Sequence, residues 1–234
     1  PSVDTNPAYN PFSGENTYKR TTATPYLDER FEGWEQLFEP TSETQTNTQR
    51  KLQIKNKYIL SAVKSGVMLI DQRRAHERIL YERMLDALAE QKPLAQHALF
   101  PESVSLNAMD YQVCLEMMNS MQELGFDIRD LGNNSVVVHA FPSDMPPTEV
   151  KEKVELMIEQ YKSLQALDDS EQAERVSRAA AKASAIHYGT PLSDLEMQEL
   201  IDQLFACSNP NYTPSGSMIL RIMDLEELDA HFKE

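Results

Sequence analysis

Residues 51–82 read KLQIKNKYILSAVKSGVMLIDQRRAHERILYE, and this segment sets the architecture expected for the whole chain. Apolar residues fall on alternate positions in Leu52–Leu60, which predicts one half-buried strand. The KSG that follows is a turn signal, and Val67–Ile70 is a second, more buried strand. The two strands are expected to pair as an antiparallel hairpin, followed by an amphipathic helix over residues 71–91.

Periodicity, caps and turn residues divide the rest of the chain in the same way. The further predicted strands are Ser103–Leu106, Phe126–Leu131, Ser135–Phe141 and Met218–Met223. The further predicted helices cover about residues 108–124, 148–167 and 171–187, with another opened by a Ser193/Glu196 capping box and a short acidic one at the end. Strands and helices do not alternate as in a parallel sheet, so the expected class is α+β.

The first 49 residues resemble a flexible linker, because they are rich in prolines and in Ser, Thr, Asn and Gln and show no sustained periodicity. The chain begins with proline, and we expect it to be part of a longer protein.

The net charge of −15 is unevenly distributed. Residues 51–101 hold nine Lys or Arg against five Asp or Glu, whereas residues 102–234 hold nine against 24. Such a chain is not expected to bind DNA strongly by itself. The two cysteines, Cys114 and Cys207, form no metal-binding spacing and fit a reducing cytoplasm. No apolar run is long enough for a membrane span.

Four side chains of the predicted helix could bind a divalent metal, namely Asp71, His76, Glu77 and Glu82. Against this, Glu77 and Glu82 are five residues apart and so about 140° apart around a helix. The other interpretation is an ordinary helix start, with Asp71 at the positive end of the dipole and ion pairs four residues apart. No nucleotide-binding loop, nucleophile elbow or HExxH motif occurs.

The hairpin followed by DQRRAHER and Glu82 resembles the C-terminal domain of the MutL family of DNA mismatch repair proteins. That family has DQHAxxExxxxE after this hairpin. SRAAAK at residues 177–182 lies where the family has its ACR-type helix, and residues 207–223 resemble the family's C-terminal end. The similarity covers about residues 50–234. It implies that residues 1–49 are the interdomain linker and that an ATPase domain precedes this chain.

The departures from the family pattern concern the endonuclease site. In nicking members the motif His, a Glu, and Cys and His residues of two further motifs hold the metal. Here Asp71, Glu77 and Glu82 remain, but Arg73 replaces the motif His, Ser177 stands at the ACR cysteine, and TPSGS at 213–217 stands where CPHGR would be. The resemblance therefore implies a degraded endonuclease motif, with Glu77 and His76 as the remaining metal candidates.

A second family motif is QHALFP, residues 96–101, which fits the QxxLxP sequence by which MutL docks the replication sliding clamp. An extended segment can place Leu99, beside Phe100 and Pro101, in an apolar groove while Gln96 supplies amide hydrogen bonds. The alternative is a plain loop leading into a strand.

By resemblance, the fold is a two-lobed MutL C-terminal domain. Residues 50–92 and 170–234 would form a dimerisation lobe with a small mixed sheet, and residues 93–169 an inserted α/β regulatory lobe. The strand Val67, Met68, Leu69 and Ile70 would lie in a two-fold homodimer interface.

The implied function is a homodimerisation module that couples mismatch recognition by MutS to downstream excision. Partners would be a second copy, MutS, the sliding clamp, and DNA held weakly or by enclosure in a ring, in the cytoplasm at the nucleoid. No cofactor is expected in this segment, and ATP with Mg would belong to the preceding domain. Two alternatives remain: a divergent metal-dependent nicking endonuclease, and a protein-interaction domain whose acidic half binds a basic partner.

Overall fold

The computed structural model describes residues 51–91, 95–143, 145, 148–165 and 171–233. The predicted linker, residues 1–49, lies outside these ranges. In chain order the elements are β1 (Lys51–Ile54), β2 (Tyr58–Val63), β3 (Gly66–Asp71), α1 (Gln72–Glu90), β4 (Ala95–Ser105), α2 (Ala108–Glu123), β5 (Asp127–Gly132), β6 (Ser135–Pro142), α3 (Val150–Gln165), α4 (Gln172–Ser184), α5 (Asp194–Ala206), β7 (Leu220–Asp224) and α6 (Leu225–Ala230).

The strands form two small sheets, of order β1-β2-β3-β7 and β4-β6-β5. The α+β class predicted from the sequence is confirmed. The four-stranded sheet was expected to be mixed, but all of its strand pairs are antiparallel, as are those of the three-stranded sheet. Among the described helices, none is long and apolar enough to cross a membrane.

The single strand predicted over Leu52–Leu60 is wrong. Lys55 and Asn56 adopt left-handed backbone angles, with φ of 54° and 47°, and the chain reverses there into a β1–β2 hairpin. The register places Leu52 opposite Leu60, so the outward positions are even-numbered on both strands. A hairpin of this register has the same alternation as one continuous strand, and periodicity could not distinguish them.

The strand predicted over Ser103–Leu106 is also too short. β4 begins at Ala95, and its pairing with β6 is interrupted by a bulge between His97 and Glu102. The predicted helices agree more closely, and the Ser193/Glu196 capping box is confirmed at the start of α5. Helix-capping side chains leave a local sequence signal, whereas an edge strand with a bulge does not.

Two hydrophobic cores share α1. The three-stranded sheet packs with α2, α3 and α4, and α1 contributes Leu80 and Met84 to that core. The four-stranded sheet packs with α5, and α1 contributes Ala75 and Ile79 to this second core. The predicted lobe boundaries stay a prediction. α4, which was assigned to the dimerisation lobe, contributes Val176 to the first core.

The four-stranded sheet has one face on the second core and another turned away from it, here called the outer face. Met68 and Ile70 are 2% and 0% exposed and belong to the core. Because side chains alternate along a strand, their neighbours point the other way. The strand register then defines the outer face as Leu52, Ile54, Tyr58, Leu60, Ala62, Val67, Leu69, Arg221 and Met223, all of them apolar or aromatic except Arg221. Of the four residues expected in a dimer interface, only Val67 and Leu69 can face a partner.

Candidate functional site

Asp71 acts as the N-cap of α1. Its Oδ1 accepts hydrogen bonds from the backbone N–H groups of Arg73 and Arg74, each at 3.1 Å. Its Oδ2 accepts one from the Tyr188 hydroxyl at 2.8 Å. A side-chain oxygen at this position accepts hydrogen bonds from backbone N–H groups that the first helical turn leaves without a partner. Asp71 therefore fixes the start of the helix and the segment that carries Tyr188.

His76 is buried within the fold. Its Nδ1 accepts a hydrogen bond from the backbone N–H of Ile186 at 3.0 Å. Burial, with smaller contributions from the positive charges of Arg83 and Lys153, lowers the pKa of His76 to about 3. The imidazole is thus neutral at pH 7, with one ring nitrogen already engaged.

Glu82 binds the segment that follows α5. Its carboxylate accepts hydrogen bonds from the backbone N–H of Ser208 at 2.8 Å and from the Ser208 hydroxyl at 2.7 Å. It also pairs with the Arg78 guanidinium at 2.7 Å, four residues earlier on α1. Glu82, the last carboxylate of the motif formed by DQRRAHER and Glu82, is therefore engaged in a structural contact.

Glu77 lines a cavity of about 160 Å³ to which Asp71 and Glu82 do not contribute. Pro214 and Ser215 line the same cavity, so Glu77 and Ser215 converge although 138 positions separate them in the sequence. Arg178 and Lys182 of α4 also line the cavity, together with residues 160, 163 and 164 of α3. Burial raises the pKa of the Glu77 carboxyl, while the Lys182 charge acts most strongly in the opposite direction.

The residues around this cavity do not fit a divalent metal. Metal sites of this kind need several carboxylate, imidazole or thiolate ligands, and the cavity offers one carboxylate beside two cationic side chains. Ser177, at the ACR cysteine position, is fully buried, and its hydroxyl donates to the Ala173 carbonyl within α4. Throughout the described part of the chain, no three His, Cys, Asp or Glu side chains are grouped so as to hold a metal.

The QHALFP segment lies within β4, at the bulge, and not in a loop. The Gln96 amide donates to the Met145 carbonyl at 2.6 Å and to the Pro142 and Ser143 carbonyls at 3.3 Å. Leu99 and Phe100 project into solvent and are 88% and 81% exposed. The segment therefore presents two apolar side chains on a strand that Gln96 ties to the chain beyond β6.

Comparison with known proteins decides the family. Residues 51–192 match the model of the MutL C terminal dimerisation domain. The chain belongs to the MutL family. Proteins named DNA mismatch repair protein MutL are 41% identical over 180 residues in Chloroherpeton thalassium, 38% over 184 in Bacteroides fragilis and 32% over 219 in Phocaeicola vulgatus. These alignments cover 77%, 78% and 94% of this chain but 28%, 29% and 35% of the respective relatives.

A polar network around Gln72, a residue of the MutL motif, was not predicted from the sequence. The Gln72 amide, in the signature motif, donates to the carbonyls of Asn56 at 2.8 Å and Thr190 at 3.1 Å. Gln53 donates to Gln72 at 2.6 Å and accepts from the backbone N–H of Leu192 at 3.1 Å. This network joins the β1–β2 hairpin, α1 and the segment between α4 and α5. Uncharged amides leave no periodic or charge signal, so only the shared MutL motif could have indicated it.

Proposed function

We propose that two copies of this MutL domain associate through the outer face and thereby hold together two subunits of a mismatch repair protein. The supporting observation is the row of apolar side chains on the outer face, part of which is open to solvent. Leu52 and Ile54 are 59% and 37% exposed, and Leu60 and Leu69 continue the row of Leu52 across the sheet. Exposed apolar patches on a small domain are typical of interaction sites, and a two-fold axis would pair the patch with itself.

Sedimentation tests this proposal. The chain is expected to sediment as a dimer at micromolar concentration, and Leu52→Lys with Leu69→Lys to shift it to monomer, because cations would be buried without partners. Leu195→Lys is the matched control, since Leu195 is a 61% exposed leucine at the start of α5. A parent chain that remains monomeric well above micromolar concentration would contradict the proposal, as would an unchanged association of the double variant.

We further propose that the domain is not a nuclease. The support is the donor set at Glu77, where Arg178 and Lys182 line the cavity and Asp71, His76 and Glu82 are engaged in other contacts. The rival proposal, a divergent nicking endonuclease built from these four residues, requires them to converge on one ion, and only Glu77 lines the cavity.

We also propose a docking role for the exposed pair Leu99 and Phe100, with the replication sliding clamp as the partner. Two adjacent apolar side chains on an edge strand can enter an apolar groove without rearrangement of the core. Since the Gln96 amide is bound within the fold, Gln96 contributes mainly by holding the bulge, and the affinity depends on the apolar pair.

The rest of the proposed role concerns the longer protein, since the chain spans about a third or less of the relatives it matches. In that role the domain couples MutS to downstream excision, contacts DNA weakly or by enclosure within a dimeric ring, and works at the nucleoid. ATP and Mg act in a preceding domain.

A further inference from the structure

Two cations lie against the exposed ring of Tyr188. The Lys57 Nζ is 4.7 Å from the ring centroid, and the Arg73 Cζ is 5.6 Å from it. Tyr188 itself is 41% exposed. Lys55, two residues before Lys57 in the β1–β2 turn, is also exposed. We call Lys55, Lys57, Arg73 and Tyr188 the turn cluster.

Within the part of the chain that the structure describes, the cations of the turn cluster form no close ion pair, although the Arg73 charge acts on Glu77 at longer range. Within the described ranges, no carboxylate lies within 4 Å of Lys55, Lys57 or Arg73, although the chain has a net charge of −15. The adjacent Arg74 differs, since its Nε is 3.6 Å from Asp71 and its Nη1 donates to the Met218 carbonyl. In an acidic domain, unpaired cations gathered at one place indicate an anionic partner.

The position of Arg73 strengthens this point. It lies in the first turn of α1, which contains no acidic residue. The first turn is the positive end of the helix dipole, where a cation is unfavourable and an anion favourable. Asp71 at the N-cap already supplies one negative charge there, and a bound anion would add a second favourable partner for Arg73.

The turn cluster is also rigidly supported. The Tyr188 hydroxyl donates to Asp71 at 2.8 Å, and the Gly189 N–H donates to the Asn56 carbonyl at 2.8 Å. The ring and the turn that carries Lys57 are therefore fixed to each other before any ligand arrives. Pre-ordered cations lose less side-chain freedom when they bind an anion.

We propose that the turn cluster binds the phosphate backbone of nucleic acid. Lys57 and Arg73 contact phosphate oxygens, and the exposed edge of Tyr188 packs against the adjoining sugar or base. Because Tyr58 pairs with Ile54 and Asp71, the cluster lies at one end of the outer face, and a dimer would carry two copies of it. The proposal gives residues to the weak DNA contact of the proposed function, and it does not require dimerisation.

The test is a salt titration of the 234-residue chain with a fluorescent DNA duplex of about 20 base pairs. Each phosphate contact contributes about 0.9 to the slope of log affinity against log salt. Lys57→Ala with Arg73→Ala is expected to reduce this slope by about 2 for each bound cluster and to weaken binding at low salt at least 10-fold. Lys57→Arg with Arg73→Lys, which keeps both charges, is expected to retain the slope.

Lys64→Ala with Lys151→Ala is the matched control, because it removes the same charge from the far end of the β2–β3 hairpin and from α3. An equal loss in this control, or an unchanged slope in the cluster variant, would overturn the proposal. So would displacement of the duplex by polyglutamate at equal charge concentration, since that would identify an acidic protein partner. Thermal unfolding verifies that each variant is folded. Leu52→Lys with Leu69→Lys, measured in parallel, separates a failure of dimerisation from a failure of the cluster.

Discussion

His76 and Ile186 are joined by a hydrogen bond, in which the backbone N–H of Ile186 donates to the imidazole Nδ1 at 3.0 Å across 110 residues of sequence. The bond requires the imidazole to be an acceptor at Nδ1, and protonation would convert that nitrogen to a donor. One buried ring thus connects the signature helix with the segment after α4 only while it is neutral.

Stability should therefore fall in mild acid. The pKa of His76 is about 3 in the folded state and 6.5 in its ordinary state, so between these values the unfolded chain binds more protons than the folded one. As the pH falls from 6.5 toward 3, His76 alone removes up to about 1.4 kcal/mol of unfolding free energy per pH unit. Urea denaturation across this range measures the slope. His76→Gln should flatten it, whereas His231→Gln, at an exposed histidine, should not; parallel slopes for the parent and His76→Gln would contradict the assignment.

Glu82 should be worth more to stability than an ordinary surface carboxylate. Removing its side chain in Glu82→Ala leaves the Ser208 N–H and hydroxyl and the Arg78 guanidinium without their acceptor. We expect a loss of about 1–3 kcal/mol of unfolding free energy, measured by urea denaturation. Glu90→Ala, at an exposed carboxylate near the end of the same helix, is the control and should change stability by less than about 0.5 kcal/mol. Equal losses at the two positions would show that the Ser208 contact contributes nothing.

Leu99 and Phe100 should dominate binding to the sliding clamp. Leu99→Ala with Phe100→Ala is expected to weaken binding of purified clamp by at least about 30-fold in calorimetry, because buried apolar anchors carry most of the energy in such docking. Gln96→Ala should have a smaller effect. Met109→Ala with Leu131→Ala removes two other exposed apolar side chains, 71% and 56% exposed, and should leave binding unchanged. If clamp binding survives the loss of Leu99 and Phe100, the docking proposal fails.

Manganese should not turn this chain into a nuclease. We expect supercoiled plasmid to remain intact when it is incubated with the chain and Mn²⁺, because Glu77 stands without a second metal ligand in its cavity. The decisive variant is Glu77→Lys, with Glu90→Lys as a charge reversal elsewhere on α1. Nicking by the parent chain that disappears in Glu77→Lys and persists in Glu90→Lys would establish the endonuclease instead.

Much of the helical structure could be predicted because its signals are local. The asparagine before α2 and the Ser193/Glu196 box before α5 satisfy helix donors within one turn, and the structure contains both caps. The alternation of β3 was visible as well, but assigning all of Val67–Ile70 to an interface overlooked that adjacent side chains point to opposite faces.

The candidate site was harder to predict, because it depends on contacts between residues that are far apart in the sequence. The β1–β2 turn at Lys55 and Asn56 contains no glycine, the usual sequence signal of a tight turn. The β1–β2 hairpin therefore resembled one strand. The engagement of Glu82 by Ser208 joins residues 126 positions apart, which no spacing rule within α1 can indicate. From the sequence, Ser177 and Ser215 could be recognised as replacements of metal ligands beside a retained Glu77. That Lys182 lines the same cavity as Glu77 could be learned only from the fold.

The four-stranded sheet cannot close until β7, far along the chain from β3, has been synthesised. β3 pairs with β7, so Leu69 lies opposite Arg221, and the hairpin that carries most of the outer face is made long before its last neighbour leaves the ribosome. Until then one edge of β3 is open. Pairings between distant segments form slowly, and open edges invite misassociation. A sheet that pairs with a second copy before β7 is in place would do so with an incomplete outer face, which makes the β3–β7 pairing a condition on when two copies can join.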